Sequence, residues 1–145
     1  MALATRADIR KKIAELYEPI VIAAGASTVL AYQPSVIGAT PGVYIRTMSS
    51  DRPPLTTRGK ATHFEFHVLH LVLQADPDNE NWTEDKAEDL VDVLEAALGD
   101  FLTQYRRVED YWQSLEYGQP SKIEHFYEEG LAYILEAIPI VAEVF

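Results

Sequence analysis

One stretch decides the fold of this chain: Ala61-Thr-His-Phe-Glu-Phe-His-Val-Leu-His-Leu-Val-Leu-Gln-Ala75. It contains neither glycine nor proline and is rich in Val, Phe and Leu, which predicts a single long β-strand. Its first half alternates between an aromatic face and a polar face, and the polar face carries His63, Glu65 and His67. From Val68 to Leu73 both faces are mostly apolar, so we expect this second half to be covered on both sides.

The length of this strand is unusual for a small domain. It would span about 46 Å at roughly 3.3 Å per residue, whereas a domain of this size has a radius of gyration of about 15 Å. We therefore expect the strand to reach the edge of its domain or to project past it. The second half would be core and the first half would leave it to meet a neighbour, as in an assembly protein.

The composition is that of one globular domain over residues 1–145. The chain is 48% hydrophobic and 24% charged, which excludes disorder. It has no cysteine, so disulfides, thiol catalysis and Cys-ligated metals are excluded. The longest apolar runs fall short of the roughly 20 residues that cross a bilayer. The N-terminus turns polar at once, unlike a signal peptide, and synthesis in a cytoplasm is expected by default.

The charge is strongly acidic and unevenly spread. Twelve basic against twenty-three acidic residues give a net charge of −11, which repels nucleic acid unless the basic groups are concentrated. The basic residues fall into three groups: Arg6–Lys12, Arg46–Lys60 and Arg106–Arg107. The middle group would suit an acidic surface on another subunit. A solvated loop with a few charges is an equally weighted interpretation.

Capping and turn residues delimit the other elements of the first two thirds of the chain. Thr5 and Asp8 predict a capping box and a helix that Pro19 ends or kinks and Gly25 stops. Thr83 predicts the start of a long amphipathic helix reaching Tyr105. Two further strands are predicted over 27–32 and 43–48, and the Pro- and Gly-containing segment 49–60 would form the long tip of a hairpin.

The last third predicts three more strands, over 111–117, 122–128 and 131–145. Pro139 would confine the last of them to an edge or a bulge, because proline cannot donate a ladder hydrogen bond. The expected fold class is α+β: an antiparallel or mixed sheet with a long β-hairpin, on which the N-terminal helix and the long amphipathic helix pack.

The residues indicate no catalytic, metal or cofactor site. His63, Glu65 and His67 share one face, but alternate residues of a strand lie about 6–7 Å apart. They could bind a metal only with help from a neighbouring strand, and an interface role is favoured. We find no nucleophile elbow, no phosphate-binding glycine loop and no carboxylate pair at a distinctive spacing. The sequence therefore predicts a protein that is not an enzyme and needs no cofactor.

The order of elements resembles the tail terminator (tail-completion) proteins of long-tailed bacteriophages. The likeness is carried by Val29-Leu-Ala-Tyr-Gln-Pro34 and by Thr40-Pro-Gly-Val-Tyr-Ile-Arg46. A polar-tipped hairpin into His63–Gln74 and the Trp82–Leu102 helix follow in the same order. The C-terminal third is longer and more acidic than the family pattern.

The resemblance implies a subunit that closes into a ring, commonly a hexamer, on the completed tail tube. Its partners would be further copies of itself, the tail tube protein and the head-side connector protein. DNA would pass through the bore without specific binding, no membrane is involved, and the protein would be made in the host cytoplasm and reside at the tail–neck junction of the virion. We expect the subunit or tube contacts at Arg46, Arg52, Arg58, Lys60, His63, Glu65 and His67.

Two alternatives remain open at this point. The first is a head–tail connector (neck or stopper) protein of the same virion, which also forms a ring. The second is a small α+β enzyme or ligand-binding oligomer, which a deep pocket with converging polar groups would favour.

Overall fold

A computed structural model describes residues 4–53 and 61–144. They form two helices and six strands. In chain order the elements are α1 (Arg6–Ala23), β1 (Thr28–Leu30), β2 (Gly42–Asp51), β3 (Thr62–Leu73), α2 (Glu84–Gln104), β4 (Ser114–Tyr117), β5 (Lys122–Glu128) and β6 (Leu131–Val144). The α+β class, the long β2–β3 hairpin and the two sheet-packing helices are confirmed.

The six strands form one mixed sheet in the order β1-β2-β3-β6, and the far side of β6 is shared by β4 and β5. β1 is parallel to β2, and every other pairing is antiparallel. A bulge between Thr47 and Ser49 shifts the β2–β3 register at Met48. Both helices lie on one face of the sheet, which we call the helix face, and the other is the open face.

The two helices start where their capping residues predict. Thr5 and Asp8 form the reciprocal capping box of α1, and Thr83 accepts a hydrogen bond from the Lys86 amide at 3.3 Å. Gly25, at φ +121°, follows α1 in a conformation that other residues rarely adopt, and its Cα faces Leu90 of α2.

Pro19 is expected to end or kink α1, but it does not end the helix, which continues past it to Ala23 before Gly25. Proline removes one helical hydrogen bond and crowds the preceding turn. Pro19 sits on the exposed side of α1, where water can satisfy the freed carbonyl. The buried positions before and after it stay in line, namely Ile9, Ile13, Tyr17 and Val21. Packing of this stripe therefore outweighs the local cost.

β3 occupies the middle of the sheet rather than projecting from it. Its first half is paired on both sides: His63 lies opposite Asp51 of β2 and Glu143 of β6. The expectation that this half leaves the domain is therefore wrong. The physical reason is that β2 and β6 are themselves long, at 10 and 14 residues, so they match the 12 residues of β3. The sheet is therefore long in the direction of its three central strands, and β3 stays inside it over its whole length.

The expectation that Pro139 confines the last strand to an edge or a bulge is also wrong, since β6 is paired on both sides. The carbonyl of Pro139 accepts a hydrogen bond from the amide of Gly118, on the side away from β3. The N and C=O of one strand residue point to the same side. The missing N–H therefore faces the interval between β4 and β5, and the β3–β6 ladder loses nothing.

The two halves of β3 differ in cover, as the sequence predicts. On the helix face, Phe64, Phe66, Val68 and Val72 are buried under α1 and α2. On the open face the second half is also covered, because Leu69 and Leu71 join Tyr44 and Tyr133 in a second apolar cluster beneath Ile37 of the β1–β2 connection. The open face of the first half has no such cover among the described residues.

A polar group is enclosed in the core on the helix face. His70 is fully buried and lies opposite Glu136 in the β3–β6 register. Its Nε2 is 3.0 Å from the hydroxyl of Tyr17, which donates to the Leu94 carbonyl at 3.3 Å. The other ring nitrogen of His70, the buried Nδ1, has no partner among the described residues.

Candidate functional site

The predicted site residues are brought together only in part. Four of the seven lie on the uncovered half of the open face: Arg46, His63, Glu65 and His67. The β6 residue Glu143 lies beside them, opposite His63. We call these five residues the polar strip. It runs across β2, β3 and β6, because residues opposite each other in the register project to the same face.

Arg46 is the fixed centre of the polar strip. Its guanidinium donates from Nη1 to Oε1 of Gln33 at 2.8 Å and lies with Nη2 3.3 Å from Nδ1 of His67. Arginine can only donate, so Nδ1 of His67 is the acceptor and the ring proton is on Nε2. That nitrogen lies 3.4 Å from Oε1 of Glu65. Arg46 thus donates to His67, and His67 in turn directs its Nε2–H towards the carboxylate of Glu65.

His67 is neutral at pH 7 in this arrangement. Burial lowers its pKa below 6.5, the Arg46 guanidinium lowers it further, and the Glu65 carboxylate partly opposes both. The side chain is 17% exposed and that of Glu65 is 31% exposed. The strip therefore presents one guanidinium and one carboxylate joined through a neutral imidazole.

A second pair continues the strip towards β6. Nε2 of His63 lies 3.1 Å from Oε2 of Glu143, and both side chains are partly exposed. The amide of Gln113 donates to the other carboxylate oxygen. Glu143 is thus fixed from two sides, and His63 is held at the rim of the strip.

Arg52 lies apart from the polar strip. Its guanidinium lies over the ring of Phe64, 5.2 Å from the ring centre, and Phe64 belongs to the helix face. Arg52 lines a cleft of about 220 Å³ with Arg6 at the start of α1; the other lining residues are Ala4, Thr5, Thr62, Phe64 and Val144. We call this the basic cleft. Arg58 and Lys60, the remaining predicted contacts, lie outside the described residues.

The N-terminal helix contributes basic groups to this end of the sheet. Arg6 donates to the Ser50 hydroxyl at 2.9 Å, and Arg10 donates to the Thr47 hydroxyl at 2.8 Å. These bonds attach α1 to β2 on the helix face. Residues far apart in the sequence therefore concentrate positive charge at the hairpin end of the sheet.

The long helix α2 carries the opposite charge. It has seven acidic residues and one lysine, and the acids are Glu84, Asp85, Glu88, Asp89, Asp92, Glu95 and Asp100. All seven are exposed, because the buried stripe of α2 consists of Ala, Val, Leu and Phe. The acidic helix surface and the basic cleft are separate patches of opposite sign.

Two observations on the described residues bear on metal and small-molecule binding. Within 4–53 and 61–144, no group of three or more His, Asp or Glu is placed to hold a metal ion. A cavity of about 180 Å³ lies on the open face between the β1–β2 connection and the sheet, lined in part by Gln33, Ile37, Tyr44 and Leu71. Ligand sites usually occupy about 300–1,000 Å³. The charged groups of the polar strip are already held by side-chain partners.

Sequence reasoning missed the partners of the strip. Gln33, Gln113 and Glu143 carry no local signal, because their roles depend on a loop position and on the β3–β6 register. It also missed that His70 faces Glu136. The alternation in Ala61–Ala75 correctly placed His63, Glu65 and His67 on one face and His70 on the other.

Neither α1 nor α2 is long and apolar enough to cross a membrane, and no other helix occurs in the described ranges. Comparison of the chain with protein-family models finds no match. A search of curated proteins likewise finds no match.

Proposed function

We propose that this protein is a structural subunit of a bacteriophage tail, forming a ring that caps the tail tube, ends its polymerisation and offers the surface for head joining. The proposal rests on the resemblance in element order. The observation that carries it beyond the resemblance is the separation of charge between the basic cleft and the acidic surface of α2.

A closed ring needs two different patches on each subunit. In a head-to-tail contact one surface of a subunit meets another surface of the next, and the ring closes when the rotation between them permits. Opposite charges on the two patches favour that contact and disfavour contact between two like patches. The basic cleft, with Arg6 and Arg52, and the acids of α2 supply such a pair.

The polar strip would then contact the tube protein or the connector. Its side chains are partly exposed and are held by contacts with one another before any partner arrives, so binding would cost little side-chain entropy. This replaces the expectation of an overhanging strand. The contact would be made by side chains on a sheet face, because both backbone edges of β3 are already paired.

The acidic balance of the chain fits a bore through which DNA passes. A net charge of −11 repels the phosphate backbone, so DNA would move through the ring without being held. A hexamer is the expected ring size by resemblance. The partners in this proposal are the tail tube protein and the head-side connector protein, and the location is the tail–neck junction.

Imaging of particles that lack this protein tests the proposal. In a phage that encodes the chain, deletion of its gene should give overlong tails without heads, because nothing would stop tube polymerisation. Complementation with the wild-type gene should restore tails of normal length and is the control.

The other outcomes are equally informative. Tails of normal length that fail to join heads would reject the terminator role and establish a head–tail connector. Normal infectious particles would reject both virion roles. The remaining alternative, a small α+β enzyme or ligand-binding oligomer, would then be the one to pursue, starting from the cavity beside Gln33 and Tyr44.

A further inference from the structure

The edge strand β5 has features that the proposed function does not use. Among the described residues it pairs only with β6, so its other backbone edge is unpaired over seven residues. Six of the seven side chains are exposed, and only Phe126 is partly covered, stacked on Tyr133. An unpaired edge of this length is a ready template for another strand.

The exposed side chains of β5 include two large apolar ones. Ile123 is 53% exposed and Tyr127 is 82% exposed. Both lie on the helix face, opposite Glu136 and Ala132 of β6, where α2 does not reach to cover them. The surface of β5 therefore offers backbone N–H and C=O groups that are unpaired within the described part of the chain, together with two exposed apolar side chains.

The sequence of β5 is complementary to itself in the antiparallel direction. Its residues are Lys122-Ile-Glu-His-Phe-Tyr-Glu128. When two copies pair about His125, Lys122 lies opposite Glu128 and Ile123 lies opposite Tyr127, each pair occurring twice. The charged pair is on the open face and the apolar pair is on the helix face. Opposite charges and aromatic–β-branched pairs are the cross-strand combinations that stabilise antiparallel pairing.

We propose that β5 pairs with β5 of a second copy of this chain, antiparallel and centred on His125, so that one sheet continues through both subunits. The two-fold relation makes the contact isologous and closed, since each copy uses its β5 edge once. It would cover Ile123 and Tyr127 and remove the exposed edge. This contact is separate from the head-to-tail contact of a ring and does not depend on it.

Exchange of the two charged residues tests the register. Lys122→Glu places two glutamates opposite each other at both ends of the pairing, and Glu128→Lys places two lysines there. Each variant alone should weaken the dimer by about tenfold or more in dissociation constant, measured by analytical ultracentrifugation. A mixture of the two variants should form a heterodimer, because both ends of the pairing then bring a glutamate opposite a lysine. The double variant K122E/E128K should pair with itself for the same reason.

The matched controls change charge without touching β5. Lys11→Glu and Glu18→Lys lie on the exposed side of α1 and should leave the dimer unchanged. Circular dichroism and thermal unfolding of every variant check that the fold is kept. A wild-type chain that stays monomeric up to about 1 mM would overturn the proposal. A dimer that ignores both charge exchanges would also overturn it, by placing the contact elsewhere.

Cross-linking provides a second test that does not depend on affinity. The chain has no cysteine, so His125→Cys introduces the only thiol. Directly opposite residues of an antiparallel pair have Cβ atoms about 4.5–5.5 Å apart, close to the distance of a disulfide. Mild oxidation with diamide should give a covalent dimer much faster than for Gln119→Cys, an exposed control position. Equal rates for the two variants would contradict the pairing.

Discussion

His70 shows how one residue can couple this fold to pH. Its ring is enclosed by groups from several elements, namely Tyr17 of α1, Leu94 of α2 and Glu136 of β6. Burial lowers the pKa of His70 to about 3. Burial raises the pKa of Glu136, as do the nearby Glu95 and Asp92 carboxylates, while the hydrogen bond from Ser121 opposes the shift. Both pKa shifts are in the direction that favours the neutral side chain.

We predict that His70 makes the protein sensitive to acid. The unfolded chain binds a proton at His70 near pH 6.5, whereas the folded chain does so only near pH 3. The contribution of His70 is therefore present above about pH 6.5 and is lost as the pH falls towards 3, at up to about 1.4 kcal/mol per pH unit. Glu136 acts with the opposite sign, because its raised pKa costs stability above the unfolded value and that cost disappears in acid.

The measurement is urea unfolding of the wild type and of His70→Gln at several pH values between 7 and 4. Glutamine does not titrate, so the difference between the two free energies of unfolding isolates His70 from Glu136. The wild type should lose stability relative to the variant as the pH falls. Parallel pH profiles would mean that the pKa of His70 is the same in the folded and unfolded states, and would contradict the prediction.

Arg52 is the residue that tests the basic cleft. Arg52→Glu should reduce assembly of joined particles of normal tail length, because it reverses the charge that would face an acidic patch of the next subunit. Its effect on folding should stay within about 1 kcal/mol, since an exposed cation–π contact with Phe64 is worth about 0.5–1 kcal/mol.

The matched control for that variant is Arg107→Glu, which makes the same charge change at an exposed position beyond α2. Both purified variants should show thermal unfolding close to that of the wild type. If particles carrying Arg52→Glu are produced as well as those carrying the control, the basic cleft is solvated surface and not a contact.

At the scale of single residues, the sequence predicted which face of the strand each side chain lies on, but not which side chains of other elements it contacts. The period of two in Ala61–Ala75 separated His63, Glu65 and His67 from Phe64 and Phe66, because neighbouring strand residues alternate. It did not predict Gln33 or Glu143 beside them. Those contacts depend on which residues of two distant strands lie opposite each other, and nothing local in either segment encodes that register.

At the scale of elements, α2 is the part most fully determined by its own sequence. A threonine cap, acidic residues in the first turn and a continuous buried stripe agree with one another, and the helix begins and ends where they predict. Leu94 lies at the centre of that stripe. It is fully buried, and its carbonyl accepts the hydrogen bond from Tyr17.

We predict that Leu94→Ala lowers the free energy of unfolding by about 2–5 kcal/mol, because the cavity would lie between α1, α2 and the sheet. Val93→Ala is the matched control on the same helix turn. Val93 is 46% exposed, so its loss should change stability by less than about 0.5 kcal/mol. Chemical denaturation of both variants makes the comparison, and equal effects would show that the helix faces the sheet differently.

The two prolines show where element-level reasoning fails. Local rules for Pro19 and Pro139 assume that a lost N–H or a steric clash has no compensation. In α1 the buried stripe continues past Pro19, and in β6 the missing donor faces the interval between two partner strands. Both compensations are tertiary, so no inspection of the neighbouring residues would have found them.

At the scale of the molecule, the order of elements was predictable and the extent of the sheet was not. Each strand was delimited by turn residues in its own segment. The sequence did not predict that β6 would lie between β3 on one side and both β4 and β5 on the other. That position also accounts for the error about β3. β3 looks too long for a domain of this size. It fits because β2 and β6, which are of similar length, pair with it on either side.

The central place of β6 has a consequence for how the chain comes to fold. β6 follows the other five described strands in the chain, yet it is the common partner of β3, β4 and β5. Its pairing joins residues as distant as Thr62 and Val144, so much of the sheet consists of contacts that close long loops and form slowly. Until residues 131–144 emerge from the ribosome, one edge of β3 and the apolar stripe of α2 have no complete partner. The nascent chain must therefore carry β3 incompletely paired while residues 74–144, about half of the chain, are synthesised. A chaperone would be of use to it in that interval.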